Sequence, residues 1–362
     1  MQELSAVFKD LKIVELASVL AGPAVGLFFA ELGAQVIKIE NKNTGGDVTR
    51  NWKLPQEDAN EGWSAYFHSV NWHKTHLMVD LSDPSERDKV LAIIQEADIV
   101  ISNFKAGSAL KYGMDATSLR ASHPSLIYAS ITAYGHGDPR PGFDVAMQAE
   151  TGWIYMNGEA NGNPVKMPVA LIDILAAHQL KEGILLALLQ RFKTHEGCHI
   201  SVSLYDTGIA SLANQAANWL NLQKVPERMG SQHPNIAPYG DIFYSQDNKP
   251  LILATGTEQQ YQKLLDCLAL PELKQDPRFA TNALRLKHRE KLTAHLSPAF
   301  KRWTAEELLS RFQAQKVPVS PIRNLQEVFH SPPAQALVLE EELPNGQVSK
   351  RVKTAIFKII AD

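Results

Sequence analysis

The sequence is poor in the features that mark specialised classes of protein. Its 362 residues contain only two cysteines, Cys198 and Cys267. This is typical of a protein in a reducing compartment and excludes a scaffold built on disulfides. Lysine and arginine number 36 against 39 acidic residues, which gives a formal net charge of −3, and no basic run is present. Charge therefore indicates neither a nucleic acid nor a membrane surface as a partner.

Long apolar runs are also missing, because glycine, aspartate or lysine interrupts each stretch well short of a membrane span. The segment Met1-Gln2-Glu3-Leu4 lacks the basic and apolar regions of a secretory signal. Candidate metal ligands are sparse. His73 and His76 form one group, and His195, Cys198 and His199 form another, but neither group is backed by a further ligand at standard zinc spacing. We expect a soluble, cytoplasmic protein without a metal site.

Predicted strands and helices alternate through the first 131 residues. The predicted strands are 11–16, 36–40, 77–81, 99–102 and 126–131, and the predicted helices between them are 24–33, 84–96 and 115–121. This alternation predicts a parallel, doubly wound sheet, whose ligands bind beyond the carboxyl ends of the strands. The first β-α turn, residues 19–26, lacks the G-x-G-x-x-G fingerprint, so we exclude NAD and FAD as ligands.

A change in composition divides the chain. Residues 226–240 are rich in proline and glycine, which is typical of a linker. We therefore predict a large domain over 1–225 and a smaller α+β domain with linkers over 226–325. The segment 326–362, with a predicted hairpin around Pro344-Asn345-Gly346, is expected to return to the large domain.

Asp173 stands in the apolar run 168–177, with no other acid between Glu159 and Glu182. Loss of water raises the pKa and the energy of such a carboxylate, which makes it a candidate nucleophile towards a carbonyl or thioester. The commoner use of an aspartate in this position is to cap a helix, here one predicted over 174–192. The two roles are compatible, because a helix N-terminus also stabilises an anion.

Several short motifs follow one another in an order that is more specific than any one of them. They are Ala21-Gly22-Pro23, the segments 32–40, 46–50, 71–74, 102–107 and 142–149, Asp173, and the segments 276–279 and 317–321. In this order they resemble the class III coenzyme A transferases. That family includes formyl-CoA transferase, carnitine CoA-transferase and α-methylacyl-CoA racemase.

The resemblance implies an α/β fold in which a Rossmann-like, CoA-binding large domain is joined to a smaller α+β domain, in an interlocked homodimer. It places the catalytic carboxylate at Asp173. In the family's transferases this group attacks an acyl-CoA thioester and passes through a mixed anhydride and an aspartyl-CoA thioester. Acyl-CoA and a carboxylic acid acceptor would be the substrates, and no cofactor would be bound permanently.

The resemblance also assigns binding residues. The positions expected to contact CoA are Val19, Ala21, Lys42, Lys74, Asn103, Phe104 and Lys111. For Phe104 a plain core role stays equally open. Lys42 is included because Asn41 occupies a position that is often basic in the family. Asp144 is expected to be a structural or substrate-orienting carboxylate near Asp173. Gly158 is likewise expected to orient the substrate, and it belongs to the glycine-containing loop 157–162, which would shield the anhydride from water.

Two alternatives remain at this point: a racemase of the same family, and a CoA-binding protein without catalysis. The racemase needs a histidine in Gly-His-Asp, but the triplet here is Gly142-Phe143-Asp144, and phenylalanine cannot transfer a proton. His136 is close in sequence but lies in a predicted turn. The side chains in the loop 234–240, which is all glycine in formyl-CoA transferase, disfavour oxalate or formate as a substrate. We therefore favour a CoA-transferase.

Overall fold

The computed structural model describes residues 6–105, 107–135, 137–343, 345–358 and 360. These residues form two compact units. Unit 1 comprises the chain up to Ile154, Lys166–Pro226 and the residues from Gln335 onward, and unit 2 comprises Tyr155–Val165 and Glu227–Ala334. The domain boundaries predicted from the sequence are near 226 and 325. The prediction assigned residues 155–165 to the large domain, whereas they belong to unit 2.

Unit 1 is built on a six-stranded sheet. Its strands are β1 (Lys12–Leu16), β2 (Gln35–Asn41), β3 (Thr75–Val79), β4 (Ile99–Ser102), β5 (Ile127–Thr132) and β6 (His199–Ser203). They are arranged in the order β3-β2-β1-β4-β5-β6, and every neighbouring pair is parallel. The direction of winding reverses between β1 and β4, so a crevice opens where their carboxyl ends part.

The two central strands are apolar on both faces, as a sheet covered by helices on both sides requires. In β1, Ile13 belongs to one core cluster and Val14 to another on the opposite face. In β4, Ile99 and Val100 alternate in the same way. The parallel sheet predicted from the alternation of elements is therefore present.

The helices of the first part of the chain are α1 (Ala21–Glu31), α2 (Ala65–His68), α3 (Pro84–Gln95), α4 (Ser108–Lys111), α5 (Ala116–Ser122), α6 (Asp144–Glu150), α7 (Trp153–Met156), α8 (Leu171–Thr194), α9 (Leu204–Ala210) and α10 (Ala213–Leu222). Asp83 caps α3, and Pro84 begins it, as the sequence predicts. Among the described residues, no helix combines the length and the apolar character needed to cross a membrane.

Unit 2 contains an antiparallel sheet of β7 (Tyr239–Tyr244), β8 (Pro250–Ala254) and β9 (Val319–Pro321). Its helices are α11 (Glu258–Cys267), α12 (Asn282–Lys287), α13 (Arg289–Phe300), α14 (Ala305–Ala314), α15 (Leu325–Phe329) and α16 (Pro332–Gln335), the last of which ends at the boundary with unit 1. Phe243, Phe300 and Phe312 pack together in its core.

The last segment of unit 1 forms an antiparallel hairpin of β10 (Val338–Glu342) and β11 (Val348–Val352). Pro344, which belongs to the predicted turn, lies outside the described residues. Arg351 forms a buried ion pair with Glu31 of α1 at 2.6 Å. The backbone N–H groups of Thr354 and Ala355 donate to the same carboxylate. This segment is thereby bound to the early helix α1.

Candidate active site

The N-terminus of α8 lies at the carboxyl edge of the parallel sheet. This follows from the connectivity, because α8 ends at Thr194 and β6 begins at the amino edge with His199. The loops after β1 and β4 leave the sheet at the same carboxyl edge. The first turn of α8 and the switch point between β1 and β4 therefore share one edge of unit 1.

Asp173 occupies the first turn of α8, three residues after the N-cap Ala170. The interpretation of Asp173 as the cap is wrong, because the helix begins at Leu171 rather than at 174. The capping acceptor comes from another helix. Oδ1 of Asp144 accepts the backbone N–H of Ile172 at 2.7 Å and that of Asp173 at 3.3 Å. Two carboxyl groups thus meet at one helix N-terminus.

Gln148 links Asp144 to the segment that leads into α8. Its Nε2 donates to Oδ2 of Asp144, and its Oε1 accepts the backbone N–H of Met167 at 2.9 Å. Gln148 is almost fully buried, at 1% exposure. Gln148 was not predicted from the sequence as a functional residue, although its position one turn after Asp144 on α6 was a usable signal.

The two carboxyl groups have opposite surroundings. Asp144 accepts hydrogen bonds from N–H donors on both of its carboxylate oxygens. Among the described residues, no side chain or backbone group donates a hydrogen bond to the carboxyl group of Asp173. Burial, and then repulsion by Asp144, raise the pKa of Asp173 to about 7. Its carboxylate is therefore an anion of raised energy and a stronger nucleophile than an exposed aspartate.

Tyr66 is a second residue near the acid pair that was not predicted from the sequence. It lies half-buried on α2 and packs edge-on against Trp52, with ring centroids 5.2 Å apart. Burial, and then the negative charges of Asp173, Asp144 and Asp47, raise the pKa of its phenol. Tyr66 thus lies within electrostatic reach of the acid pair.

The turn between β1 and α1 has an unusual backbone. Val19 has a φ of 72°, a left-handed conformation that is costly for a β-branched residue. Ser18, the residue before Val19, is bound on both of its backbone groups by Asn103 in the loop after β4. Oδ1 of Asn103 accepts the N–H of Ser18 at 3.0 Å, and its Nδ2 donates to the carbonyl of Ser18 at 2.8 Å. Ala21 begins α1 and is buried. The structure thus brings Val19, Ala21 and Asn103 together at the switch point.

Lys74 is buried, and its Nζ donates to Oε2 of Glu15, the carbonyl of Pro23 and Oδ1 of Asn71, at 2.8, 2.9 and 3.2 Å. These bonds use all three ammonium protons. Burial lowers the pKa of Lys74 to about 8 despite the attraction of Glu15. The contact of Lys74 with a CoA phosphate stays a prediction, and this geometry favours a structural role instead.

The other predicted contacts are more exposed. Lys42 forms an ion pair with Glu86 at the surface. Lys111 ends α4, is exposed, and lies 5.3 Å from the ring of Tyr112. Among the described residues Lys111 has no anionic partner. Phe104 is half-buried and packs against one of the two cores of the sheet.

Gly158 belongs to unit 2. Its φ is 135°, and its carbonyl accepts the N–H of Gly230 at 2.9 Å. A Cβ at this position would lie 2.6 Å from the carbonyl oxygen of Asn163, so the loop requires glycine here. His136, the fallback proton carrier of a racemase, lies outside the described residues. The described part of the chain contains no cluster of three or more potential metal ligands.

An acid pair at the carboxyl edge of a parallel α/β sheet, close to its switch point, is typical of an α/β enzyme that binds its ligand at that edge. The comparison with known families is more specific. Residues 8–359 match CoA-transferase family III, and the chain belongs to this family. It is therefore a class III CoA-transferase.

Named relatives extend over most of the chain. The succinate–glutarate CoA-transferase of Agrobacterium fabrum is 37% identical over 355 residues, which cover 96% of this chain and 88% of that protein. The human succinyl-CoA:glutarate CoA-transferase is 33% identical, with coverage of 94% and 78%. A solved CAIB/BAIF family protein from Brucella suis is 40% identical, with a TM-score of 0.84 and coverage of 99% and 94%.

Proposed function

We propose that this protein moves CoA from an acyl-CoA thioester to a free dicarboxylic acid, with Asp173 as the covalent nucleophile. The observation that carries the proposal is the state of the Asp173 carboxyl group, which is buried, receives no hydrogen bond from the described residues and lies beside the anion of Asp144. The nature of the acid follows from the relatives named for succinate and glutarate.

The transfer balances without an outside reactant. The Asp173 carboxylate attacks the acyl carbon, and CoA thiolate leaves, giving a mixed anhydride. The thiolate attacks Cγ of Asp173 and releases the donor acid, giving an aspartyl-CoA thioester. The acceptor carboxylate then attacks Cγ and expels the thiolate, which attacks the acceptor's carbonyl and regenerates Asp173. Dividing the exchange into covalent steps lowers each barrier.

Asp144 has two roles in this scheme. Its hydrogen bonds fix the first turn of α8, and with it the direction of the Asp173 side chain. Its charge raises the energy of the Asp173 carboxylate before attack, and this repulsion is relieved when the carboxylate loses its charge on forming the anhydride. Substrate is thus oriented indirectly, through the helix that carries the nucleophile.

We place CoA at the switch point between β1 and β4 of a Rossmann-like large domain, a placement that the strand order β3-β2-β1-β4-β5-β6 supports. Val19, Ala21, Asn103 and Phe104 would line its pantetheine and adenine. Lys111 would bind a phosphate, because an exposed cation without an ionic partner can form charge-assisted hydrogen bonds with one.

Four further features belong to the proposal. Lys42 is a second phosphate contact once it leaves Glu86. The shielding role of the loop around Gly158 stays a prediction from the resemblance. The working form is an interlocked homodimer in the cytoplasm, and no cofactor stays bound between turnovers.

The racemase alternative is disfavoured because Phe143, exposed at the start of α6, offers no proton.

Trapping tests the nucleophile. The enzyme is incubated with succinyl-CoA and hydroxylamine, and the peptides are mapped by mass spectrometry. We expect a hydroxamate on Asp173, because hydroxylamine intercepts both the anhydride and the thioester. The matched control is Glu182→Gln, which alters an exposed acid on the same helix and should leave labelling unchanged. Label on another acid would contradict the proposal, as would CoA exchange in Asp173→Asn at the wild-type rate.

The same preparation tests the alternative reaction. A 2-methylacyl-CoA is incubated in heavy water without an acceptor acid. Incorporation of deuterium at the α-carbon, at the rate of CoA exchange, would identify a racemase and overturn the transferase.

A further inference from the structure

Four charged side chains form a continuous network of ion pairs beneath the turn between β1 and α1. Glu15, Lys38, Asp47 and Lys74 have fully buried side chains, and they contribute two positive and two negative charges. Nζ of Lys38 lies 2.9 Å from Glu15 and 3.0 Å from Asp47, and Nζ of Lys74 lies 2.8 Å from Glu15. The network is therefore neutral and internally paired, as buried charges require.

The network holds the backbone on both sides of the turn. Lys38 donates to the carbonyl of Ala17 at 2.6 Å, and Lys74 donates to the carbonyl of Pro23 at 2.9 Å. Asp47 accepts the N–H of Val19 through both carboxylate oxygens, at 3.1 and 3.3 Å. These contacts hold the first residue of the turn, a residue in its middle and the first turn of α1 that follows it.

The contact with Val19 has a physical purpose. A β-branched residue persists in the left-handed region only where its surroundings over-determine the conformation. Here Asp47 holds the N–H of Val19 while Asn103 holds Ser18 from the other side. The strained turn is thus fixed from two directions by side chains of the protein itself.

Helix α1 leaves room for this network. A Cβ on Gly26 would lie 2.0 Å from Oε2 of Glu15 and 3.4 Å from Nζ of Lys74. A side chain there would displace Glu15 towards its partners. The glycine therefore allows α1 to pack directly over the Glu15–Lys74 pair.

We propose that Glu15, Lys38, Asp47 and Lys74 are positioning residues, which hold the turn of residues 17–20 in its CoA-binding conformation before CoA arrives. The inference rests on the proposed function, since that is what places CoA at this turn. Lys74 acts through the backbone and does not bind a phosphate, because its three protons are already used and its side chain is buried. Preorganisation of this kind increases affinity by reducing the ordering cost of binding.

The test uses the neutral double variant Glu15→Gln/Lys74→Met, which removes one charge of each sign. Its matched control is Lys12→Met/Glu96→Gln, which makes the same chemical change in an exposed ion pair of 2.9 Å beginning on the same strand. CoA and 3′-dephospho-CoA are titrated into each protein by calorimetry. Hydrogen exchange is followed in peptides covering residues 17–23, and in β4 as an internal reference.

We expect the buried double variant to bind both ligands about tenfold more weakly, because the turn must be ordered on binding. The ratio of the two affinities should stay at the wild-type value. Exchange should become faster in residues 17–23 and stay unchanged in β4 and in the control. Lys111→Met should instead reduce the ratio, if Lys111 contacts the 3′-phosphate.

Other results would overturn the inference. A ratio that falls towards one in the buried double variant would make Lys74 a phosphate contact. Unchanged exchange in residues 17–23 would remove the positioning role, whatever the affinities. Failure of the wild type to bind CoA would contradict the proposed function, whereas the exchange experiment would still report whether the network fixes the turn.

Discussion

Oδ1 of Asp144 accepts the backbone N–H of Asp173 at 3.3 Å, so that one acid caps the helix on which the other stands. The arrangement separates two carboxyl groups that would otherwise compete for the same N–H donors. Asp144 takes the donors, and Asp173 keeps a carboxyl group of raised pKa. Neighbouring acids in unequal surroundings commonly have different roles in catalysis.

The pH profile should follow the ionisation of Asp173. Because only the carboxylate attacks, kcat/KM for acyl-CoA should rise with pH and level off above the pKa of about 7. Asp144→Asn keeps an oxygen for the helix cap but removes the like charge, so the rising limb should move to lower pH. Initial rates from pH 5 to 9 measure this shift. A limb that stays in place would show that Asp144 does not set the charge state of Asp173.

Stability should depend on the same group. The pKa of Asp173 is raised from 3.8 to about 7 on folding, so between these values the folded state holds more protons than the unfolded state. The free energy of unfolding should therefore fall across this window as pH rises, by about 4 kcal/mol in total. Asp173→Asn should raise Tm more at pH 8 than at pH 4. The control variant Glu182→Gln should change Tm equally at the two pH values. The same result for Asp173→Asn would contradict this assignment.

Gln148 should matter for rate more than for CoA binding. Gln148→Met removes both the donor to Asp144 and the acceptor for Met167. A small displacement of the nucleophile reduces kcat by roughly 100-fold, while KM for acyl-CoA should change little. Gln148→Glu restores the acceptor but adds a negative charge, so its pH limb should move upward, opposite to Asp144→Asn. Loss of CoA affinity without loss of kcat would assign Gln148 to binding instead.

The two surface lysines should contribute unequally. Lys111 has no anionic partner among the described residues, whereas Lys42 is paired with Glu86. Lys111→Met should weaken CoA binding about tenfold, the typical effect of losing one charge-assisted hydrogen bond. Lys42→Met should weaken it less, because Lys42 must first leave Glu86. Calorimetric titration at low and high salt checks the order, which would be reversed if Lys42 were the main contact.

The sequence predicted those features that depend on local pattern. Alternating strands and helices defined the parallel sheet, and the isolated position of Asp173 in an apolar run indicated its desolvation. The start of α8 was misplaced because the residue that caps it, Asp144, lies 28 residues before Ile172, whose N–H it accepts. Capping rules based on neighbouring residues cannot find an acceptor supplied from another helix.

Lys74 shows a second limit of sequence reasoning. Its partners are Glu15, Pro23 and Asn71, and only the order of the strands brings the first two to it. A lysine next to a motif is ordinarily exposed, so nothing in the local sequence indicated that this one is buried and fully paired. Gln148, by contrast, could have been found from its spacing to Asp144.

The bond between Arg351 and Glu31 also has a consequence for how the protein is made. Glu31 leaves the ribosome early, but its cation and the N–H donors of Thr354 and Ala355 are translated after the whole of unit 2. Until then α1 carries a carboxylate without the partners that compensate its burial. Synthesis therefore imposes an order in which unit 1 closes only after its final segment has emerged.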